Sequence, residues 1–436
     1  MREIRTVTVL GANGTMGSNV SAIFASFGGA KVYMMGRDIK KSRLAAERAC
    51  KSVRAGSIMN NLVPADYSML EKCISESDLI FESTKESLAV KIDVARQISD
   101  YITEGTIVCS GTSGLSVNTL ADCYPDNIKK SFFGVHMFNP PYSMTLCELI
   151  SADCSDENIR SELRRYLEKT LLRTVIEVKD SPAFLANRIG FQFINSAMRR
   201  AEEYQDNGGI DYIDAVLGKF TGRTMPPLAT ADFVGLDVHK AIVDNIYRNT
   251  DDYIHESFAL PQFVQKLIDE NKLGRKTGGG LYKTEIIDGS VKKRSVYDIA
   301  SGTYREKINY VFPFAEAMKQ NIREGKYEDA FRILIRNRSQ EARLCLEMLM
   351  NYILYSLVTV SDVSYDIHFA DDALATGFNW CPPLAMADAF SKITNIEKLF
   401  ETYIDKDILR LTDTQRLLYS AGISKYDYRP YFKSSR

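Results

Sequence analysis

The stretch TVTVLGANGTMG, residues 6–17, is a short apolar run followed by a turn that holds three glycines. The run TVTVL is rich in β-branched residues, which predicts a buried strand. The segment SNVSAIFASFGG, residues 18–29, has helical spacing and ends on two glycines. A strand, a glycine-rich turn and a helix in this order predict an α/β domain that opens with a dinucleotide-binding unit.

The glycine turn has the spacing G-x-x-G-x-x-G, one residue longer than the commoner G-x-G-x-x-G. Glycines let the backbone approach a pyrophosphate, and the N-terminus of the next helix offers free N–H groups and a positive dipole end. We therefore expect a cofactor to contact this turn, and an ordinary tight turn is the alternative. The predicted contact residues are Gly11, Asn13, Gly14, Thr15, Met16 and Gly17.

The residues after the second predicted strand, KVYMM at 31–35, bear on the choice of cofactor. In NAD sites an acidic residue near this point bonds the ribose hydroxyls. Here Gly36 and Arg37 come first, and Asp38 follows them. A guanidinium suits the 2′-phosphate of NADP, whereas Asp38 would suit NAD. The sequence therefore allows NAD(P), and Arg37 favours NADP.

Three further apolar strands follow, SDLIFEST at 77–84, GTIVCSG at 105–111 and SFFGVHMF at 131–138, with helical stretches between them. This alternation predicts a Rossmann-type, mostly parallel sheet covered by helices. Ligands bind beyond the carboxyl ends of such strands.

Polar side chains stand at those strand ends: Glu86 after the first, the segment 110–113 (SGTS) after the second, and His136 in the third. The segment GVHMFNPPYSMTLCELI, residues 134–150, predicts a strand end, a turn and a second strand that bring His136 and Glu148 together. A histidine with a carboxylate partner is suited to act as a base near neutral pH. A buried structural histidine is the alternative.

The amino-acid composition limits the classes of function that we expect for this chain. The 436 residues carry a formal net charge of −1, so no nucleic-acid partner is expected. The eight cysteines form no C-x-x-C pair, which argues for reduced thiols in the cytoplasm and against zinc, and we expect no metal site. We expect no apolar run to reach the length of a membrane span, and the early strand pattern leaves no room for a signal peptide.

The pattern becomes helical from DSPAFLANRIG, residues 180–190. Asp180 or Ser181 before Pro182 is a helix start signal. Asn187 interrupts an otherwise apolar face, and its amide needs a partner, which is either structural or a ligand.

An internal repeat follows, because PPLATAD at 226–232 recurs as PPLAMAD at 382–388. It predicts an all-α C-terminal domain made of two related helical units. Between the copies, alternating runs around Asp288 and Gly289 predict a β-hairpin. The predicted domains are 1–179 (dinucleotide-binding Rossmann domain), 180–285 (first helical repeat), 286–344 (hairpin and linker) and 345–436 (second helical repeat).

Taken together, these segments resemble the L-3-hydroxyacyl-CoA dehydrogenase family in its long form, which has a hairpin and a second helical repeat. The segments that carry the resemblance are GANGTMG, FESTKESLAVK, SGTSGLSV, GVHMFNPPYSMTLCELI, DSPAFLANRIG, ADFVGLDV and LGRKTGGGLY, in the order of the family. The family's frequent fusion to an enoyl-CoA hydratase module is not expected here.

The resemblance implies hydride transfer between a nicotinamide ring and C3 of a 3-hydroxyacyl thioester. It assigns the general base to His136 and the residue that orients it to Glu148, and it places Ser113 and Asn187 at the reacting oxygen. The residues that it implies near the cofactor are Glu86, Lys91, Ser110 and Asn139.

Two departures from the family leave the acyl carrier open. Gly111 stands where the family usually has Asn, and the connection from Arg37 to Asp78 is short for the helical arm that the family uses around CoA. The expected partner is a small-molecule acyl substrate, a CoA thioester, and the expected assembly is a monomer or a homodimer. A dehydrogenase of a free or carrier-protein-bound 3-hydroxy acid, and a non-catalytic cofactor-binding or structural protein, are the alternatives.

Overall fold

The computed structural model describes residues 3–287 and 291–432. This part of the chain divides into two compact units. The first holds the described residues up to Phe184 together with Val363–Tyr365, and the second holds Leu185–Asp362 and the described residues from Asp366 on. The further division of the region after residue 180 stays a prediction.

The first unit is built on an eight-stranded sheet with the strand order β3-β2-β1-β4-β5-β6-β7-β8. All neighbouring strands run parallel except β6 and β7, which are antiparallel. The order reverses between β1 and β4, which is the switch point at which such sheets bind ligands. The strands are β1 Thr6–Leu10, β2 Lys31–Gly36, β3 Leu62–Asp66, β4 Leu79–Glu82, β5 Ile107–Ser110, β6 Phe132–Met137, β7 Leu146–Ser151 and β8 Thr174–Val178.

Helices cover this sheet and bury its core. The apolar side chains of β1, such as Val7 and Val9, are fully buried, and they pack in one cluster with Ile23 and Phe24 of the first helix. Strands buried on both faces are expected for a parallel sheet. The helices are α1 Thr15–Ser26, α2 Ile39–Val53, α3 Leu70–Ser75, α4 Leu88–Ile98, α5 Val117–Ala121, α6 Asp126–Lys129 and α7 Glu157–Arg165.

The second unit is mainly helical, and with the sheet of the first unit it confirms the predicted fold class. Its helices are α8 Ala186–Glu203, α9 Ile210–Val216, α10 Pro227–Val234, α11 Leu236–Asn249, α12 Gln262–Asp269, α13 Pro313–Arg323, α14 Tyr327–Arg336, α15 Gln340–Val363, α16 Phe369–Gly377, α17 Pro383–Ser391, α18 Ile396–Tyr403, α19 Lys406–Arg410 and α20 Thr414–Ala421.

The predicted helix start at Asp180–Pro182 is wrong, because α8 begins at Ala186. Ala183 and Phe184 have positive φ angles of 61° and 53°, which a right-handed helix does not allow. The Asp180 carboxylate instead accepts hydrogen bonds from the N–H groups of Val117 and Asn118, both at 2.9 Å. Asp180 therefore caps α5 of the first unit rather than α8.

The repeated PPLA(T/M)AD segments form α10 and α17, and both helices have proline in their first turn. An aspartate from the preceding helix caps each of them. Asp214 accepts from the N–H of Leu228, and Asp371 accepts from the N–H of Leu384, each at 2.8 Å. The two segments therefore share their sequence and their capping interaction.

Three strands also belong to this unit, in the order β11-β10-β9: β9 Tyr282–Ile287, β10 Val291–Tyr297 and β11 Tyr304–Glu306. β9 and β10 pair antiparallel, as the predicted hairpin requires. The predicted turn residues Asp288 and Gly289 lie outside the described residues.

The expectation that no segment reaches the length of a membrane span is wrong for α15. Within the described residues, this 24-residue helix is long and apolar enough by length and composition, and 78% of its most apolar window is buried. A core helix passes the same test, and the burial of α15 is typical of one.

Candidate active site

The glycine turn between β1 and α1 brings backbone close to backbone. Gly11 has a φ of 79°, and a Cβ there would lie 2.4 Å from the carbonyl oxygen of Ser83. A Cβ at Gly17 would lie 2.5 Å from the carbonyl oxygen of Gly11. Neither position accepts a side chain without movement of the main chain, so these two glycines fix the shape of the turn.

The end of α1 that faces the turn has the properties of an anion site. Gly14 is the N-cap of α1, no side chain caps this helix, and its first turn holds no acidic residue. A Cβ at Gly14 would meet only the carbonyl oxygen of Gly11, at 3.4 Å. The uncapped N–H groups and the open space beside Gly14 fit the pyrophosphate of a dinucleotide.

The residues that bear on the predicted choice between NAD and NADP follow the end of β2. A Cβ at Gly36 would lie 2.1 Å from the side-chain amide nitrogen of Asn13, so Arg37 is the first side chain with room after the strand. Asp38 caps α2, because its carboxylate accepts from the N–H of Lys41 at 2.9 Å. Arg37 and Asp38 are both exposed.

A buried ion pair joins β4 to α4. The Lys91 ammonium lies 2.6 Å from a carboxylate oxygen of Glu82, and both side chains are only 3% exposed. The Ser110 hydroxyl donates to the same carboxylate at 2.8 Å. Burial alone would raise the pKa of Glu82, but Lys91 and the hydroxyl donors lower it below its usual value.

The Lys91–Glu82 ion pair is connected to the loop after β5. The Lys91 ammonium also lies 3.4 Å from Glu86, whose other oxygen accepts from the Thr112 hydroxyl at 2.6 Å and from the Ser113 N–H at 2.8 Å. Four predicted site residues, Glu86, Lys91, Ser110 and Ser113, are thus brought together, and the contacts run through Glu82. A Cβ at Gly111 would lie 3.0 Å from the ring of Phe81, which explains the small residue in this loop.

His136 and Glu148 face each other across the antiparallel strands β6 and β7, where they are register partners. The Nδ1 atom of His136 lies 2.6 Å from Oε2 of Glu148. Glu148 is fully buried and His136 is 5% exposed. The rings of Phe138 and Phe184 pack against the imidazole, with centroids at 4.6 and 5.7 Å.

The contact with Glu148 favours one tautomer of His136. A carboxylate beside Nδ1 favours a proton on that nitrogen, which leaves the lone pair on Nε2. In the described part of the chain, Nε2 has no hydrogen-bond partner.

Two predicted site residues remain, Asn139 and Asn187. The Asn139 side-chain oxygen accepts from the Asn19 amide of α1 at 2.8 Å, so it is tied to the helix that follows the glycine turn. Asn187 is buried in the first turn of α8, in the second unit. Its neighbour Arg188 forms a buried ion pair with Asp252 at 2.7 Å.

The sequence did not predict the roles of Glu82 and Asp180. Glu82 is the last residue of an apolar strand, and Lys91 stands nine positions later, near the start of a helix. A carboxylate that ends a buried strand needs a partner, so this position carried a detectable signal. No local pattern indicated that Asp180 caps α5, because this helix lies more than sixty residues earlier in the sequence.

The sheet order, the switch point and the glycine turn define a dinucleotide-binding protein of the Rossmann class. The NAD binding domain of 3-hydroxyacyl-CoA dehydrogenase matches residues 6–181, and the C-terminal domain of the same enzyme matches residues 184–284. The chain belongs to the 3-hydroxyacyl-CoA dehydrogenase family, and its first unit is the nicotinamide-cofactor-binding domain of that family.

Two relatives illustrate the range of the match. A Bacillus subtilis protein named "Probable 3-hydroxyacyl-CoA dehydrogenase" is 28% identical over 427 residues, which cover 91% of this chain and 52% of the relative. Human mitochondrial hydroxyacyl-coenzyme A dehydrogenase is 28% identical over 296 residues, which cover 64% of this chain and 91% of that protein. The chain spans about half the length of the relatives that match most of it.

Solved structures agree with this assignment. The structure of 3-hydroxybutyryl-CoA dehydrogenase from Escherichia coli K12 superposes with a TM-score of 0.69 and 20% identity, over 97% of this chain and all of that one, and it supports the fold alone. The structure of (S)-3-hydroxybutyryl-CoA dehydrogenase from Ralstonia eutropha gives a TM-score of 0.57 and 26% identity, over 64% of this chain and 98% of that one.

Proposed function

We propose that this protein interconverts a 3-hydroxyacyl-CoA and the corresponding 3-oxoacyl-CoA with a nicotinamide cofactor. The observation that carries the proposal is the buried contact of 2.6 Å between His136 and Glu148, at the end of a strand in the family's cofactor domain. The cofactor, when bound, supplies the hydride acceptor or donor. The remaining chemistry is the transfer of one proton, and it falls to the side chains of this chain.

His136 is the proposed base. Its Nε2 takes the proton of the C3 hydroxyl during oxidation and returns it during reduction. Glu148 holds the ring in the tautomer with the proton on Nδ1, and its negative charge stabilises the protonated ring. Phe138 and Phe184 exclude water from the imidazole, which strengthens its interaction with the carboxylate.

Ser113 and Asn187 are the proposed contacts of the reacting oxygen. Ser113 is half-buried, and its main chain is held by Glu86, which leaves its hydroxyl available to a ligand. Asn187 is buried at the start of a helix, and Arg188 next to it is anchored by Asp252. Donors fixed in this way lose little freedom when they stabilise a developing negative charge.

We also propose that NADP is the preferred cofactor. Arg37 takes part in no ion pair within the described ranges, and Asp38 already accepts the N–H of Lys41. The space above Gly36 holds the side-chain amide of Asn13, and Gly36 itself has no acidic side chain that could bind ribose hydroxyls. An exposed, unpaired guanidinium after the second strand favours a 2′-phosphate.

A second candidate keeps the reaction and changes the acyl carrier to a carrier protein or to none. The observation that favours it is the short path from α2 to β3. Only residues 54–61 join them, mostly as one short 3-10 helix, with no helical arm of the kind that the family uses around CoA.

Oxidation of NADPH or NADH in the presence of acetoacetyl-CoA tests the first candidate. Turnover that disappears in His136→Gln, while cofactor binding persists, would support it. Free acetoacetate and the acetoacetyl-carrier protein form the comparison panel, and a higher kcat/KM for either would favour the second candidate. Cofactor binding without turnover on any of the three would contradict both.

A further inference from the structure

The second unit contains a cavity of about 770 Å³ that the proposed reaction does not use. Its wall includes Arg275, Gly278 and Tyr282 of the LGRKTGGGLY segment, together with residues of α9 and α10. Each lining residue belongs to the second unit.

Four cations of the cavity wall form no close ion pair, although Arg294 interacts electrostatically with Asp232 and Lys307 with Asp214. The side chains concerned, none of which forms an ion pair with another described residue, are those of Lys219, Arg275, Arg294 and Lys307. Many other charged side chains of this unit do form such pairs, for example Lys240 with Asp244 at 2.6 Å. Four unpaired cations around one cavity create a positive potential that attracts anions.

The three acidic residues of the cavity wall, Asp211, Asp214 and Asp232, all accept hydrogen bonds from other groups of the protein. Arg305 and the N–H of Ile308 contact Asp211. Asp214 caps α10 and accepts from the Tyr282 hydroxyl at 2.7 Å, and burial raises the pKa of Asp214 to about 7. Burial also raises the pKa of Asp232, so burial weakens the negative charge that opposes an anion at both Asp214 and Asp232.

The cavity also offers an aromatic surface. Phe233 of α10 is 56% exposed although its ring is large and apolar. The Arg275 guanidinium lies 5.6 Å from the centroid of this ring. An exposed ring beside a guanidinium provides a platform on which a planar group can stack.

We propose that this cavity binds a phosphorylated adenine nucleotide, with its phosphates among Lys219, Arg275 and Lys307 and its base on Phe233. The nucleotide has two sources: a free molecule such as ADP, or the 3′-phospho-ADP part of CoA. The second source rests on the proposed function, whereas the first does not.

Calorimetric titration of the full chain, saturated with NADP so that the Rossmann site is filled, tests the proposal. ADP, CoA, pyrophosphate and adenosine are titrated in turn. We expect ADP to bind with one-to-one stoichiometry. Its affinity should fall as salt rises, because salt screens the attraction between the cations of the cavity and the phosphates. Lys219→Ala and Lys307→Ala should each lower the affinity for ADP at least fivefold. Phe233→Ala should lower the affinity for ADP more than the affinity for pyrophosphate.

Lys398→Ala is the matched control, since Lys398 is an exposed lysine on α18, away from the cavity lining. If the cavity variants lose affinity equally for CoA and for ADP, the nucleotide that binds is part of CoA. If they lose affinity for ADP alone, it is a free nucleotide. Binding of ADP that none of the cavity variants alters, or that equals the binding of pyrophosphate, would overturn the proposal. Because the titration needs no turnover, its outcome is independent of the dehydrogenase assay.

Discussion

His136 and Glu148 are register partners on two antiparallel strands, and their side chains meet at 2.6 Å inside the core of the first unit. The pairing of β6 with β7 is the only antiparallel one in the eight-stranded sheet. It turns the chain back on itself, so residues twelve apart in sequence become direct neighbours. The backbone hydrogen bonds of two strands thus fix the imidazole and its carboxylate.

Glu148→Gln should lower kcat by about 100- to 10,000-fold, the range in which positioned proton transfer contributes to catalysis. The neutral amide carries no charge to stabilise the imidazolium, and its NH2 group can donate to Nδ1, which moves the ring proton to Nε2. Steady-state kinetics with acetoacetyl-CoA and the reduced cofactor measure this. His368→Gln, a histidine distant in sequence from the site, is the control, and an unchanged kcat in Glu148→Gln would contradict the proposed pair.

Arg37→Ala should lower the affinity for NADP about tenfold or more and leave the affinity for NAD nearly unchanged. A charge-assisted hydrogen bond to a phosphate contributes about 1.5–3 kcal/mol, which corresponds to that factor. Fluorescence titration of both cofactors measures the ratio. Lys40→Ala tests whether general positive charge near α2 explains the preference, and equal NADP affinity in wild type and Arg37→Ala would remove the reason to assign NADP.

Glu82→Gln should destabilise the first unit by about 3 kcal/mol or more, because it leaves the buried Lys91 without its closest charge partner. Faster hydrogen exchange in β4 and β5 reports the loss. Glu157→Gln is the matched control, since Glu157 contacts Arg160 at 2.6 Å and is itself 81% exposed, and a pair of this kind contributes at most about 1 kcal/mol. Similar exchange in the two variants would show that the buried pair is not structural.

The same pair makes the first unit sensitive to acid. The pKa of Glu82 is lower in the folded than in the unfolded chain, so its stabilisation is present at neutral pH and is lost as pH falls below the usual glutamate range.

His239 should reduce the stability of the second unit at mildly acidic pH. Burial lowers its pKa to about 3, so the unfolded chain takes up a proton below about pH 6.5 while the folded chain does not. Its stabilising contribution is present above pH 6.5 and falls by about 1.4 kcal/mol between pH 7.5 and 5.5.

Trp380, the single tryptophan of the chain, lies in the second unit, so its fluorescence during urea unfolding measures this free energy. His239→Gln should remove the decrease, and His255→Gln should keep it. The comparison with a variant is needed because Asp214, with a pKa raised to about 7, stabilises the fold as pH falls through the same range. Identical pH profiles for wild type and His239→Gln would contradict the prediction.

The sequence by itself determined the elements with strong local signals. The run TVTVL with its glycines predicts β1, the turn and α1, because an apolar β-branched run and a helix with free N–H groups are local properties. The sequence also predicted a return strand that carries Glu148 back towards His136. The duplicated PPLA(T/M)AD segments predicted two similar helical segments, because a repeated local sequence favours the same local structure. The family resemblance rests on short motifs of this kind.

Only the tertiary structure decided which polar groups meet. Asp180 looked like the start of α8 but caps α5, because two residues with positive φ postpone the helix and free the carboxylate. Glu82 belongs to the candidate site because it contacts Lys91 on the next helix and Ser110 on the neighbouring strand. Local patterns record how a segment buries its apolar face, whereas partners distant in sequence are chosen by packing and by the need to satisfy buried charges.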